Sequence, residues 1–354
     1  MTMTLDGTNG VTFNDASLQG AAASPFGLKN KIINGGMDIS QRNTSYTSAN
    51  SENNDDTYVL DRFYILSDGN DAIDVTQTTT VPTGSKYSIG LDVETINKKF
   101  GIAQIIENTN CVDAIGGAVT VSFKAKVSST TKLDNIKCAI VSWSGTADTV
   151  TSDIISAWGA EGTNPTLIAN ATYENTPVNL NVTTSFATYS VTATVDTAST
   201  SNIILFIWSD VTDTTLGDFL YITNVQLEIG SSATPFERKL YNQELANCQR
   251  YFLRLGGDSA YTPYGTGNNY STTRGNMLVT YPVPMRTSPT LTATAPNRVL
   301  SGAANNSVTD FALGNGGALG AYIDYTTTGV TQGHGSLITA NGSTAGNLSF
   351  SAEL

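Results

Sequence analysis

Charge is scarce in this chain. Asp, Glu, Lys and Arg make up 14% of the 354 residues, against about 25% in ordinary soluble domains. Basic residues are the scarcer kind: 18 Lys and Arg stand against 30 Asp and Glu, a net charge of −12. Such a chain repels phosphate, which excludes nucleic acid as a partner and argues against adsorption to anionic bilayers. No apolar run approaches the roughly 18 residues of a membrane-spanning helix. The longest is Ile203 to Trp208. The first residues lack a basic stretch followed by an apolar one, so the expectation is a protein made in the cytoplasm and, if it acts outside, released by lysis.

Histidine occurs once, as His334 between two glycines. A Ser-His-Asp or Cys-His nucleophilic site would need it, and nothing around it supports one. Cys111, Cys138 and Cys248 are odd in number and widely spaced. They read as packed free thiols, with no zinc-ligand set and no disulfide framework. No phosphate-binding glycine loop with its lysine is present; the glycine-rich stretch 314–320 reads as a flexible loop. Paired carboxylates remain as a route to glycan cleavage, but 30 acidic residues single out no pair, and the expectation is no enzyme.

What is abundant points to strands. Threonine is about one residue in seven, and there are 32 glycines; Thr, Val, Ile and Tyr favour pleated sheets, and Gly their turns. Val119, Val121, Phe123, Ala125 and Val127 alternate with polar residues, the period of a half-buried strand. Phe219, Tyr221, Thr223, Val225 and Leu227 alternate likewise and predict a second such face. Ile203–Trp208 is apolar on both parities, as in a central strand covered on both sides. Leu240, Glu244, Cys248 and Phe252 fall at helical spacing, so a short helix should run into a strand. The pattern predicts an all-β chain: an N-terminal arm over 1–28, a jelly-roll β-sandwich over 29–237, the short helix, and a second β-sandwich over 238–354. Val11, Phe13, Leu18 and Phe26 are too few to form a core; the arm is either disordered or ordered by docking on a partner.

Candidate binding residues are aromatic, because the C–H face of a pyranose stacks on rings. Trp143, Trp158 and Tyr173 flank long loops, and Tyr261, Tyr264 and Tyr270 lie among Gly and Asn. Each could equally pack beneath its loop or in a subunit interface. Asp68, Asn70, Asp71 and Asp74 could hold a structural Ca²⁺ or simply make a solvated turn; their spacing does not match an EF-hand. No other cofactor or metal is called for.

Several segments in order resemble a known family. Asn30, Ile33-Asn34-Gly35, Met37, Ile39 and Gln41-Arg42 look like an opening strand, and Tyr58, Asp61-Arg62-Phe63 like the next. Val225-Gln226-Leu227-Glu228-Ile229-Gly230 with Ala233-Thr234-Pro235-Phe236-Glu237-Arg238 resembles a closing strand and linker. Glu244-Leu245, Cys248-Gln249-Arg250-Tyr251-Phe252 is similar to the junction into a C-terminal β domain. Val283, Met285-Arg286 and Pro289-Thr290 resemble a strand pair of that domain, and Ala352-Glu353-Leu354 its end. Together they resemble phage tail-fibre and virion structural proteins with a carbohydrate-binding-module-like jelly roll.

The resemblance implies a virion component, exterior on tail or capsid, attaching the particle to a host surface glycan without cleavage. It implies a homotrimer, with the arm holding other virion proteins through Val11, Phe13, Leu18 and Phe26. A capsid or tail decoration binding only virion proteins is the alternative, and a glycan depolymerase a more distant one. The motif residues themselves have structural jobs: Asn34-Gly35-Gly36 a tight backbone, Asp61-Arg62 a local ion pair.

Overall fold

The computed structural model describes residues 29–354 and, before them, only the backbones of three short strands, β1 (Thr4–Asp6), β2 (Gly10–Thr12) and β3 (Leu18–Gln19). These pair in sequence as a small antiparallel sheet, with Val11 opposite Gln19 and Thr12 opposite Leu18. Phe13 and Phe26 lie outside the described residues, as do the side chains of Val11 and Leu18.

The next stretch forms a jelly-roll sandwich. Its strands are β4 (Ser45–Tyr46), β5 (Tyr64–Ser67), β6 (Ile73–Thr78), β7 (Ser88–Val93), β8 (Phe100–Ile106), β9 (Ala118–Val127) and β10 (Ile136–Trp143). They continue as β11 (Ile155–Ala157), β12 (Thr166–Leu167), β13 (Ala171–Tyr173), β14 (Ala187–Thr194), β15 (Asn202–Ser209) and β16 (Phe219–Ile229), with a one-turn helix α1 (Asn108–Cys111) after β8. One sheet has the order β14-β9-β16-β7-β6-β4 and the other β13-β10-β15-β8-β5.

Val119, Val121, Phe123, Ala125 and Val127 point between the two sheets, as their alternation predicts. So do Ile203, Leu205 and Ile207 of β15, while Ile204, Phe206 and Trp208 point the other way. The outward set is covered by the long connection from β10 to β13, which folds back with its own β11–β12 hairpin. A strand apolar on both parities is therefore central and dry on both faces.

The face of β16 departs from its simple alternation. The strand is bulged between Thr223 and Gln226, where Asn224 takes a left-handed φ of 54°. Leu220 and Ile222 enter the core before the bulge, Val225 and Leu227 after it. Phe219 and Tyr221, expected inside, are thrown to the outer face, because one extra residue exchanges the two sides of a strand.

Helix α2 (Tyr241–Gln249) follows and leads directly into β17 (Phe252–Gly256). Glu244 and Cys248 are its buried face, whereas Leu240 precedes the helix and is exposed. Nine further strands complete the chain: β18 (Pro263–Asn269), β19 (Arg274–Thr280), β20 (Thr290–Thr294), β21 (Asn297–Ser301), β22 (Ala304–Val308), β23 (Asp310–Gly316), β24 (Gly320–Thr326), β25 (Gly335–Ala340) and β26 (Asn347–Ser351). A sheet β17-β26-β20 faces a seven-stranded sheet β22-β21-β25-β18-β19-β24-β23 over a second core that contains Met277, Ile323, Tyr325 and Phe350.

The stretch 314–320, expected as a loop, is mostly strand. Gly314 and Gly316 belong to β23 and Gly320 opens β24. The Tyr322 ring lies over Gly314, where a Cβ would come within 2.6 Å of it, so the missing side chain makes room for the ring.

The segments carrying the family resemblance converge where the C-terminal strands meet the jelly roll. Arg62 is 1% exposed and has a left-handed φ of 71°. It does not pair with Asp61, as adjacency suggested. It donates to the carboxylate of Glu353 and to the Ile105 carbonyl, and its guanidinium lies 3.7 Å over the Tyr251 ring. Asp61 instead accepts from the Gln41 backbone and side-chain amides. Arg42 also reaches Glu353, at 3.0 Å, and its guanidinium stacks on Phe252. The Tyr251 hydroxyl donates to Glu107 at 2.6 Å, beside two donors from Arg250. Burial alone would raise the Glu107 carboxyl, but the hydrogen bonds from Arg250 and Tyr251 outweigh it and hold it below the usual range. Tyr58 donates to the Leu354 carbonyl at 2.7 Å, and the Leu354 side chain packs in the outer cluster of the jelly roll.

Removing one partner of a buried pair leaves the other charge uncompensated, at a cost of about 3–5 kcal/mol. Glu353→Gln should therefore lower the urea midpoint strongly, while adding Arg62→Met to it should recover part of the loss. A double variant as unstable as the sum of the two single ones would show that the two groups are not energetically coupled.

Candidate functional site

The bulge in β16 builds the candidate site on the outer face of the six-stranded sheet. Phe219 and Tyr221, two residues apart, stack with centroids 5.2 Å apart and planes 8° from parallel. Register places Tyr221 opposite Lys126 on one side and Gly90 on the other. Gly90 supplies a floor: a Cβ there would sit 3.3 Å from the Tyr221 ring, so glycine lets the ring lie low across the sheet. The Lys126 ammonium stands 5.0 Å from the Tyr221 centroid and 5.4 Å from that of Phe186. All four side chains are partly exposed.

Further along the same face, Lys124 of β9 and Thr188 of the neighbouring β14 open onto a groove of about 300 Å³ shared with Asn224, Phe236 and Arg238. Partly exposed rings beside ammonium, hydroxyl and amide groups suit a polyhydroxylated ligand with an apolar side. The arrangement offers stacking and hydrogen bonds.

The acidic end of this face is electrostatically strained. Asp92 lies opposite Phe219 on one side and Asp74 on the other. Burial, then the nearby charges of Glu94, Asp74 and Asp218, push Asp92 up to about 6. Asp74 is raised too, by burial and then by Glu94, and accepts from the Asn53 amide at 2.9 Å.

The residues picked from the sequence are scattered. Trp143 and Trp158 are each 9% exposed and belong to the outer cluster over β15. Trp143 donates to the Thr146 carbonyl at 3.1 Å, and Trp158 meets Phe206 edge-on. Tyr173 is half-buried beside Trp208 and donates to the Pro165 carbonyl. These three pack beneath the β10–β13 connection and do not form a stacking platform. Tyr264 is buried in the C-terminal core, its hydroxyl bonded to Asn297. Tyr261 and Tyr270 are exposed, Tyr261 under the Arg298 guanidinium and Tyr270 bonded to Asp324 at 3.3 Å. They lie on different strand connections and do not meet the face described above.

His334 is exposed on a turn, and all three cysteines are buried and unpaired. Of the oxygen-rich set, Asn53 bridges Asp71 and Asp74, Asn70 accepts from the Asp55 amide, and Asp68 stands 3.9 Å from Lys98. Among the described residues no three His, Cys, Asp or Glu are grouped to hold a metal.

Phe186, Phe219, Tyr221 and Phe236 were not singled out by sequence. The signal was an asparagine inside an apolar strand, where a left-handed residue marks a bulge.

No family model matches the chain, and no curated protein does. Solved structures overlap it in part. The enzymatically active domain of bacteriophage CBA120 tailspike protein 4 is 17% identical with a TM-score of 0.34, over 60% of this chain and 22% of that one. TmCBM61, solved with β-1,4-galactotriose, is 13% identical with a TM-score of 0.30, over 57% of this chain and all of its own. A sugar-binding protein from Bacteroides thetaiotaomicron, so described provisionally, gives 12%, 0.34, 57% and 100%. The matched stretch is thus about a fifth of the tailspike chain. At these scores the functional argument rests on the chain's own residues.

Two outcomes follow. Trp143→Ala should cost stability, about 3–5 kcal/mol as for a buried tryptophan elsewhere, and leave ligand binding unchanged once folded; a stable variant with weakened binding would contradict the packing role. Asp92 binds a proton more tightly folded than unfolded, so its contribution to stability falls as pH rises from about 4 through about 6. Asp92→Asn should melt higher than the native chain above pH 6, with the difference closing toward pH 4. Equal melting at both pH values would remove the strain.

Proposed function

We propose that this chain is an exterior component of a phage particle that attaches to a host surface glycan and does not cleave it. The observation that carries the reading is the Phe219–Tyr221 stack with Lys126 against it, on an exposed sheet face floored by Gly90. A partly exposed pair of parallel rings beside a cation lies outside the core behind it, and a pyranose offers the matching apolar face and hydroxyls. The ordered resemblance to tail-fibre and virion proteins supplies the biological setting. In that setting residues 1–28 hold other virion proteins, and a homotrimer multiplies a weak single-site affinity through effective concentration.

The purified full-length protein should bind host cells, and periodate oxidation of the cell surface should abolish that binding. Tyr221→Ala should weaken it about tenfold, equivalent to about 1.4 kcal/mol, with an unchanged melting temperature. A well-folded protein that ignores cells yet binds the particle would make the chain a capsid or tail decoration instead. Release of reducing ends from the glycan would make it a depolymerase.

A further inference from the structure

In a chain with 30 acids to 18 bases, an ammonium without a carboxylate beside it is out of the ordinary. Of the ten lysines, seven form ion pairs with Asp or Glu. The other three, Lys86, Lys124 and Lys126, pair with no carboxylate among the described residues. Lys86 lies over the Tyr87 ring and Lys126 against Tyr221 and Phe186. Lys124 is partly buried, yet its ammonium has no ion pair, hydrogen bond or ring among the described residues.

Register shows what surrounds it. Asp92 shares a row with Phe219, Lys126 with Tyr221, and Lys124 with Thr223. The outer face therefore runs from acid to base along the strands, with the Tyr221 ring between. The Phe219 and Thr223 rows stand about 14 Å apart, at about 3.4 Å per residue. At about 0.1 M salt, charges farther apart than about 10 Å are largely screened. An anion at Lys124 thus feels the cations beside it more than Asp92 or the net charge of the chain.

Arg238 lines the same groove of about 300 Å³ as Lys124. Its Nη2 donates to the Gly84 carbonyl, and its Nε and Nη1 meet no acceptor among the described residues. Among the described residues no Asp or Glu lines this groove. Asp38 senses Arg238 and Lys86: burial raises its carboxyl and those two charges pull it back, but it pairs with neither and stands outside the lining. Phe236 supplies an apolar wall, Thr188 a hydroxyl and Asn224 an amide. Two cations without a counter-ion, set among hydroxyl, amide and ring, suit an anionic substituent on a sugar. A neutral sugar leaves both charges uncompensated.

We propose that this groove holds the anionic group of an acidic glycan, with the adjoining sugar on the Tyr221 ring. The inference rests on the glycan-attachment reading and names the class of glycan. A carboxylate and a phosphate or sulfate ester present the same charge, and the test separates them.

The test is binding of the full-length protein to host cells between about 0.1 M and about 1 M salt, which shortens the Debye length from about 10 Å to about 3 Å. The sign of the response decides. Screening relieves repulsion between a chain of net charge −12 and an anionic cell surface, so binding through a neutral sugar should hold or strengthen as salt rises. Binding through Lys124 and Arg238 should weaken about tenfold or more. Lys124→Gln should weaken binding about tenfold at the lower salt and flatten the salt response, with an unchanged melting temperature. Lys124→Arg should bind as the native chain does. Arg274→Gln, which removes the same charge from an exposed position on β19, should change neither affinity nor salt response. Amidation of the cell-surface carboxylates should abolish binding if the ligand carries a carboxylate, and leave it salt-sensitive if it carries a phosphate or sulfate ester; either result supports the groove. Periodate-sensitive binding that salt does not weaken would overturn the acidic ligand and leave the attachment reading standing. Salt-sensitive binding that Lys124→Gln leaves unaltered, or that Arg274→Gln weakens equally, would overturn the groove. A well-folded protein that binds no cells at either salt would overturn the attachment reading and this inference with it.

Discussion

The architecture turns on one buried cation, Arg62. Its side chain is almost fully out of water, and its backbone sits in the left-handed region that non-glycine residues avoid. Such a conformation persists only where the surroundings over-determine it. Here they do: Glu353 from the last residues, the Ile105 carbonyl from β8, and the Tyr251 ring from the end of α2 all hold the same guanidinium. Three stretches, up to 291 positions away along the chain, meet at this one planar group. Burying an ion is costly unless it is paired and hydrogen-bonded, so the pairing is a condition for this arrangement of the C-terminal strands against the jelly roll.

Much of the fold was legible because periodicity reports burial directly. β9 alternates because one side of it is wet, and β15 does not because neither side is. The helix-to-strand switch after Leu240 was visible for the same reason, although Leu240 itself lies before the helix and faces water. The family motifs were legible in order but not in meaning. Asp61 and Arg62 look like a local pair, yet the pleat and the left-handed turn send them to different partners. Adjacency in sequence says little about which charges meet in three dimensions.

The candidate site was hidden by a single residue. In β16 both parities are apolar, so alternation alone could place either Phe219 and Tyr221 or Leu220 and Ile222 in the core. Asn224 decides, because a bulge there shifts the register for every residue on one side of it. The tryptophans were misleading for a related reason. Trp143 does sit on the side of β10 away from the main core, but that side is roofed by the chain that follows it. Whether a loop crosses a face depends on tertiary folding that neither composition nor period encodes.

The same physics sets the sheet face apart from the joint. On the sheet face the rings are held by stacking and a glycine floor, with Lys126 against them. At the joint the guanidinium groups are already spent: Arg42 and Arg62 on Glu353, Arg250 on Glu107, and Arg286 on the carbonyls of Ala352 and Glu353. A cation whose donors are satisfied inside the protein holds strands together and has little left for a ligand, whereas Lys126 has no carboxylate partner among the described residues and keeps its donors for what lands on the rings. The division of labour between buried arginine and surface lysine follows from where each charge finds its partner.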